Sequence, residues 1–346
     1  MTRRNLLFGS TALALQQGKL DEATKLIEGQ TSSGQVSAAT LHVQNGSAVF
    51  AKAFGKAPDE NAVFLLASIT KPMTATAVMV LADRGQVSLS DPVSRFIPEF
   101  RGDGRERVLV RHILTHTSGL PDMVPENTEL RKKHAPLSSF VAAACRTPLL
   151  FAPGTELRYQ SLGILLAAEI VSRIAKQPLP AFLDEKIFRP LGMRQTSLGL
   201  GGRAISDTML CQVNGASDWD WNSPYWRNLG APWGGAHSTA GDVSRLLRYF
   251  AHADNRVLKP ETALAMIRNQ TAGLKHQWGI GWAMNDEAKL GKSSSPTTFG
   301  HSGSTGTLCW HDPAKDLSFV LLTTRPAEAS DKTLIRPVSD VVSASA

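Results

Sequence analysis

Cysteine is scarce in this chain. The three present among 346 residues, Cys145, Cys211 and Cys309, cannot complete a disulfide framework and stand at no metal-ligand spacing. They read as reduced, buried side chains. No apolar run is long enough to cross a bilayer, so an integral membrane span is excluded. The formal charge of +7 is scattered; the one short cluster is Arg131-Lys132-Lys133-His134, and no basic run alternates with aromatic residues. That pattern describes a solvated, mildly basic surface and not a nucleic-acid binder. Neither a phosphate loop nor a dinucleotide fingerprint occurs, and no cofactor is implied. The G-x-S-x-G elbow that an α/β-hydrolase requires is missing. His112 and His116 have the i,i+4 spacing of zinc-binding helices but lack the glutamate of H-E-x-x-H and a third ligand, so no metal site is expected.

What is there suits a large soluble fold. The chain is 42% hydrophobic and 19% charged, ordinary globular composition for two domains or one large unit with an insertion. Arg3-Arg4, a short apolar stretch and Ala12-Leu13-Ala14 have the order of a twin-arginine export signal over residues 1–15, which would place the protein in the periplasm or outside the cell. The competing reading is an amphipathic helix running into LDEATKLIEG, in a cytoplasmic protein. Residues 19–29 have helical periodicity. Residues 37–54 read as a hairpin turning at Asn45-Gly46, and TFGHSGSTGTLCW with LSFVLLTTR as a second antiparallel pair. Between these ends the pattern is helical: the apolar Thr74–Ala82 run closed by Gly85, then 137–145, 161–175, 239–252 and 260–269. The fold class is therefore α+β. One antiparallel sheet built from both chain ends (16–60 plus 255–346) is flanked by helices, and a mostly helical domain (61–254) is inserted.

The stretch FLLASITKPMTATAV sets Ser68 and Lys71 three residues apart, on one face of a helix. A neutral amine there could take the serine proton, because burial readily lowers a lysine pKa. Pro72 is tolerated only in a first helical turn, so the helix must start close to Ser68. The serine then lies beside unpaired N–H groups at the positive pole of the helix, where an oxyanion is stabilised. The plainer alternative is an N-capping serine and a solvated lysine, and distant partners must decide.

Two segments offer them. Tyr159 and Ser161 sit at the mouth of the apolar helix that follows Pro153-Gly154. A nearby cation would lower the tyrosine pKa and make it a proton shuttle; alternatively Ser161 is an N-cap with Tyr159 packed nearby. In TTFGHSGSTGTLCW, several glycines within a strand-like run suggest close approach of another backbone or a ligand. His301-Ser302-Gly303 would point a histidine or serine into a cleft, and the Ser304 N–H would be a second oxyanion donor opposite that of Ser68. The alternative is an irregular edge strand. Four of the seven tryptophans, Trp219, Trp221, Trp226 and Trp233, cluster in residues 218–235, as loop anchors or as an aromatic wall for an acyl group.

Ser68-Ile69-Thr70-Lys71, Tyr159-Gln160-Ser161 and His301-Ser302-Gly303, in that order, resemble the three motifs of the penicillin-recognising serine hydrolases. The tyrosine makes the chain similar to the class C β-lactamase branch, which also holds D-alanyl-D-alanine carboxypeptidases, D-aminopeptidases and esterases. VRHILTHTSGLP (110–121) and GGAHSTAGDVSRLL (234–247) resemble further segments of that family, and the likeness covers roughly residues 20–325. It implies a site between the sheet and helical domains. Ser68 would be the acylated nucleophile, Lys71 and Tyr159 would share proton transfer, and the N–H groups of Ser68 and Ser304 would form the oxyanion hole. Ser161, His301, Ser302, Gly303 and Trp233 would contact the substrate. Ser161 stands where the family usually has asparagine and His301 where β-lactamases often have lysine, which removes an amide arm and a permanent cation. A small ester, amide or peptide is the expected substrate, cleaved by an esterase or peptidase. The alternatives are a true β-lactamase and a catalytically impaired binding protein.

Overall fold

A computed structural model describes residues 3–345, with side chains described from Gln17 onward apart from Glu287. The side chains of the candidate export signal over residues 1–15 lie outside that set. Helix α1 (Arg3–Ser32) leads into strands β1 (Ala38–Asn45) and β2 (Ala48–Gly55). Strands β3 (Phe64–Leu65), β4 (Ser197–Leu198), β5 (Ala236–Ser238), β6 (Ala283–Met284), β7 (Phe299–Gly303), β8 (Thr307–Asp312) and β9 (Leu317–Thr323) follow along the chain. The main sheet has the order β2-β1-β9-β8-β7-β6 with antiparallel neighbours, so the two chain ends do build one sheet.

Strand β9 shows why both faces of that sheet are covered. Side chains alternate along a strand. Leu317, Phe319 and Leu321 point to a core shared with Leu20, Ala23 and Ile27 of α1 and with Val338 and Val342 of the C-terminal helix Arg336–Ser343. Val320 and Leu322 point the other way, to a core that includes Val243, Leu246 and Phe250 of the helix Ala240–His252. That helix was expected on the helical side of a boundary at residue 254. It packs instead on β1, β8 and β9, so the sheet layers begin about a helix earlier in the chain. Its start is fixed by Thr239, whose side chain accepts the Asp242 N–H.

The first hairpin turns at Gly46-Ser47, one residue later than expected, with Asn45 paired to Ala48. Gly46 takes a positive φ of 55°, and Asn45 is kept in the strand by its amide, which donates to the Lys315 carbonyl at 2.7 Å. The small sheet β3-β5-β4 has no counterpart in the sequence reading. Strands of two or three residues are too short to show periodicity.

Helix α2 (Thr70–Asp83) is buried from Thr70 to Leu81 and lies against the helix Leu162–Ala175. Truncating a wholly buried side chain such as Met73 to alanine would cost about 2–5 kcal/mol, which holds the head of this helix in place. Gly85 follows with φ 69° and donates to the Ala82 carbonyl, closing the helix as expected. The three cysteines are free and buried, and burial pushes their thiols up, that of Cys309 to about 12. Among the described residues no helix is long and apolar enough to cross a membrane, and no three His, Cys, Asp or Glu side chains form a metal-binding group.

Candidate active site

The chain reaches Ser68 through a strained turn. Ala67 adopts φ 49°, rare for a residue with a Cβ, and opens a 3₁₀ turn over Ala67–Ile69 that runs into α2. Neighbouring segments tie the turn down. Thr70 Oγ1 donates to the Ala67 carbonyl at 2.7 Å and accepts the Ala236 N–H at 3.0 Å. Thr305 and Thr307, either side of the β7–β8 turn, donate to the carbonyls of Leu65 and Leu66, each at 2.8 Å. Gly303 makes that approach possible, because a Cβ there would lie 2.2 Å from the Leu66 carbonyl oxygen. Gly303 thus lets the strand meet the backbone that carries Ser68.

Lys71 Nζ lies 2.9 Å from Ser68 Oγ and 3.0 Å from the Trp233 carbonyl, to which it donates. Lys71 is 1% exposed. Burial lowers its pKa to about 7, with Asp122 opposing the shift. An amine so placed is substantially unprotonated at neutral pH and can accept the serine proton.

Tyr159 lines the same cleft as Ser68, and the Lys71 amine sits over its ring at 4.8 Å from the centroid. The expected lowering of the tyrosine pKa is not found. Desolvation raises it, outweighing the opposing effect of the Ser68 side chain, and the adjacent amine is too readily neutral to act as a fixed cation. Tyr159 therefore keeps its proton near neutral pH.

Ser68, Tyr159, Ser161, Trp233 and Ser304 line one cleft of about 260 Å³, together with Trp221 and Trp226. Ser161 is the residue before the helix Leu162–Ala175, yet its hydroxyl makes no capping bond. Ser302 is exposed and Gly303 is buried, and neither is among the lining residues. His301 departs most from expectation. It is 2% exposed and does not line the cleft; its Nδ1 donates to the Ser302 carbonyl at 2.7 Å, and its ring packs 6.0 Å from that of Tyr159. Burial and then Lys71 depress its pKa to about 3, so it supplies no cation to a substrate.

The sequence reading missed His116, Asp122, Arg131 and Trp278. His116 grips the tyrosine segment at three points. Its carbonyl accepts the Arg158 N–H at 2.9 Å, its Nδ1 accepts the Gln160 N–H at 3.2 Å, and its ring lies 4.6 Å from that of Tyr159. It does so at φ 59°, after the helix Val110–Leu114 has ended, so His112 and His116 do not share a helical face. Trp278 packs on both histidines and on the tyrosine. The signal for His116 lay in the 110–121 segment that resembles the family, and Arg131 stood out only within a short basic cluster; Asp122 and Trp278 had no local signal.

The antiparallel sheet covered on both faces, with a buried helix presenting a serine and a lysine beside it, defines a hydrolase of the β-lactamase and transpeptidase fold. The chain belongs to the Beta-lactamase family, whose model matches residues 23–342. It is 30% identical over 331 residues to esterase EstB of Burkholderia gladioli, covering 83% of this chain and 84% of that one. It is 26% identical to a putative D-alanyl-D-alanine carboxypeptidase of Salmonella agona (strain SL483), covering 89% of this chain and 83% of the relative. The fold is similar to that of EstCE1, a hydrolase with promiscuous acyltransferase activity, with a TM-score of 0.81 and 21% identity over 95% of this chain and 99% of the other.

Proposed function

We propose that this protein is a serine esterase or peptidase that cleaves a small ester or amide through an acyl-serine intermediate, with an ester as the preferred substrate. The observation that carries the reading is the 2.9 Å contact between Ser68 Oγ and an amine whose pKa burial brings to about 7. Neutral Lys71 takes the proton as Oγ attacks the carbonyl carbon. The N–H groups of Ser68 and Ser304, which line the same cleft, hold the developing oxyanion. Protonated Tyr159, in the same cleft as Ser68 and beside the Lys71 amine, gives its proton to the leaving group and regains one from the Lys71 ammonium. Water then enters by the reverse route and frees the acid and Ser68.

Two features favour esters over β-lactams. Ser161 offers one short hydroxyl where a longer amide side chain would donate and accept through two separate atoms, and neutral His301 leaves β7 without a cation. The likeness to esterase EstB supports the same choice. The test incubates the protein and Ser68→Ala with a nitrophenyl ester, a chromogenic cephalosporin and a fluorescent penicillin. Ester turnover confined to the wild type supports the proposal. Rapid cephalosporin turnover would favour a β-lactamase. No turnover, with Ser68 unlabelled by a serine-reactive fluorophosphonate, overturns the hydrolase reading in favour of a binding protein.

Tyr159→Phe keeps the ring contacts and removes the relay hydroxyl. It should lower kcat by about 10²-fold or more; unchanged kcat would leave proton transfer to Lys71 alone. His116 acts as a positioning residue for that hydroxyl. His116→Asn retains an acceptor and tolerates positive φ, whereas His116→Phe retains only the ring. The phenylalanine variant should lose about 10-fold or more in kcat with KM little changed, and the asparagine variant should recover most of it. A phenylalanine variant with wild-type kcat beside an impaired asparagine variant would show that stacking alone places Tyr159.

A further inference from the structure

The Ser68 cleft does not end at the tryptophan wall. Arg131 and Trp221 line both that cleft and an adjoining groove of about 810 Å³, whose other walls include Trp219, Asp220, Arg325 and Glu328. Arg131 comes from the helix Asn127–Lys132. Its guanidinium carbon lies 4.2 Å from the ring centroid of Trp226 and 5.1 Å from that of Trp219. Stacking of this kind fixes the plane of a guanidinium and leaves its edge free to bond a carboxylate.

Among the described residues no carboxylate takes that edge. Among the described residues neither Arg131 nor Arg325 is in an ion pair. The hydrogen bond of Arg131 runs from Nη2 to the Trp219 carbonyl at 3.0 Å, and its buried Nε has no partner. Asp220 is the nearby acid, and its two oxygens accept the backbone N–H groups of Ser217 at 2.7 Å and Asn222 at 2.6 Å. Arg325 is held through Nη1 by the Gln35 carbonyl at 2.7 Å. Glu328, the groove's other acid, is exposed. Two guanidinium groups therefore face one exposed carboxylate and one whose oxygens are already engaged. A half-buried arginine without a counter-ion bears a desolvation cost that a bound anion would offset. On the strand side of Ser68 the cleft has no permanent cation, because His301 is neutral at pH 7 and Lys71, with a pKa of about 7, shares its proton in the Ser68 chemistry.

We propose that the substrate is a carboxylate-bearing ester whose anionic end extends from Ser68 into this groove and is held by the stacked Arg131 guanidinium. The proposal rests on the hydrolase reading above and names its substrate class. Either half of the ester could carry the carboxylate, so the test uses three matched esters: nitrophenyl butyrate, nitrophenyl hemiglutarate with the charge on the acyl side, and a carboxyphenyl butyrate with the charge on the leaving group, with phenyl butyrate as the reference for the last. The quantity read is kcat/KM for each charged ester divided by that for its neutral partner. This ratio does not depend on how much of a variant is folded.

The wild type should prefer one charged ester, and that arm identifies the half that enters the groove. Arg131→Gln should lower the ratio by about 10- to 100-fold, as expected for one charge-assisted pair, and Arg131→Lys should recover part of it. Raising ionic strength should shrink the preference in the wild type. A wild-type enzyme indifferent to the charge, or a ratio that survives in Arg131→Gln, overturns the proposal while the hydrolase reading stands. Absence of all ester turnover with Ser68 unlabelled by the fluorophosphonate overturns both.

Discussion

Ser68→Ala is expected to lower ester kcat by at least about 10⁴-fold while the protein stays folded. The size of the loss follows from what the hydroxyl does. It is the atom that would bond to the acyl carbon, and without it the two-step route closes, leaving the cleft to act only by binding and polarising the substrate. The fold should survive because the turn that carries Ser68 is held by bonds the hydroxyl does not make. Thr70, Thr305 and Thr307 tie Ala67, Leu65 and Leu66, and Lys71 retains the Trp233 carbonyl. The check pairs steady-state kinetics with thermal unfolding of the same samples. Residual turnover within about 100-fold of wild type would transfer the nucleophile's role to another group. A collapse in Tm would make the activity loss uninformative about chemistry.

Lys71 should give the second large effect, and one with a sign. Its neutral form is the base, so kcat/KM should rise with pH through a limb near 7 and fall about tenfold per pH unit below it. Lys71→Arg should be as inactive as Lys71→Met, each down by about 10²–10⁴-fold, because a guanidinium keeps its proton. The same shift acts on stability. The folded-state pKa lies below that of the free side chain, so between about pH 7 and 10.5 the unfolded chain binds the extra proton and stability increases with pH. Below about 7 the full cost of burying the amine is present. Lys71→Met removes it and should be more stable than wild type at pH 6 by on the order of a few kcal/mol, with the gap closing toward pH 10. Thermal melts of the two proteins at pH 6 and 9.5 test this. A constant gap, or a rate limb far from 7, would contradict the assignment of Lys71 as a buried neutral base.

Several residues were legible because their reasons are local. Pro72 fixes where a helix can begin, and Lys71 falls in its first turn with Ser68 in the 3₁₀ turn that leads into it. The near-continuous apolar run in LSFVLLT marks a strand buried on both faces. Tyr159 and His301 were legible as residues near the site but not in their ionisation. A tyrosine beside a lysine suggests a lowered pKa, and a histidine in place of a lysine means that a permanent cation is lost. The first expectation reversed and the second went further, to a neutral imidazole, because desolvation depends on how many neighbours surround a group, which no spacing encodes. The helix Ala240–His252 was found correctly but placed in the wrong layer, since its apolar face is the same whichever sheet or bundle it covers.

By itself the sequence determined the fold class, the serine–lysine pair and the order of the three motifs, because each is written in contacts within a few residues or in the periodicity of one element. Tertiary structure alone decided that burial brings the Lys71 pKa to about 7, that His301 turns inward, and that His116 grips the Tyr159 segment. It also decided that Arg131 stands unpaired where the Ser68 cleft meets a larger groove. Each of those depends on burial or on partners dozens of residues away. Burial and long-range partnership set charge and orientation through desolvation and packing, and these quantities exist only once the chain has closed around the site.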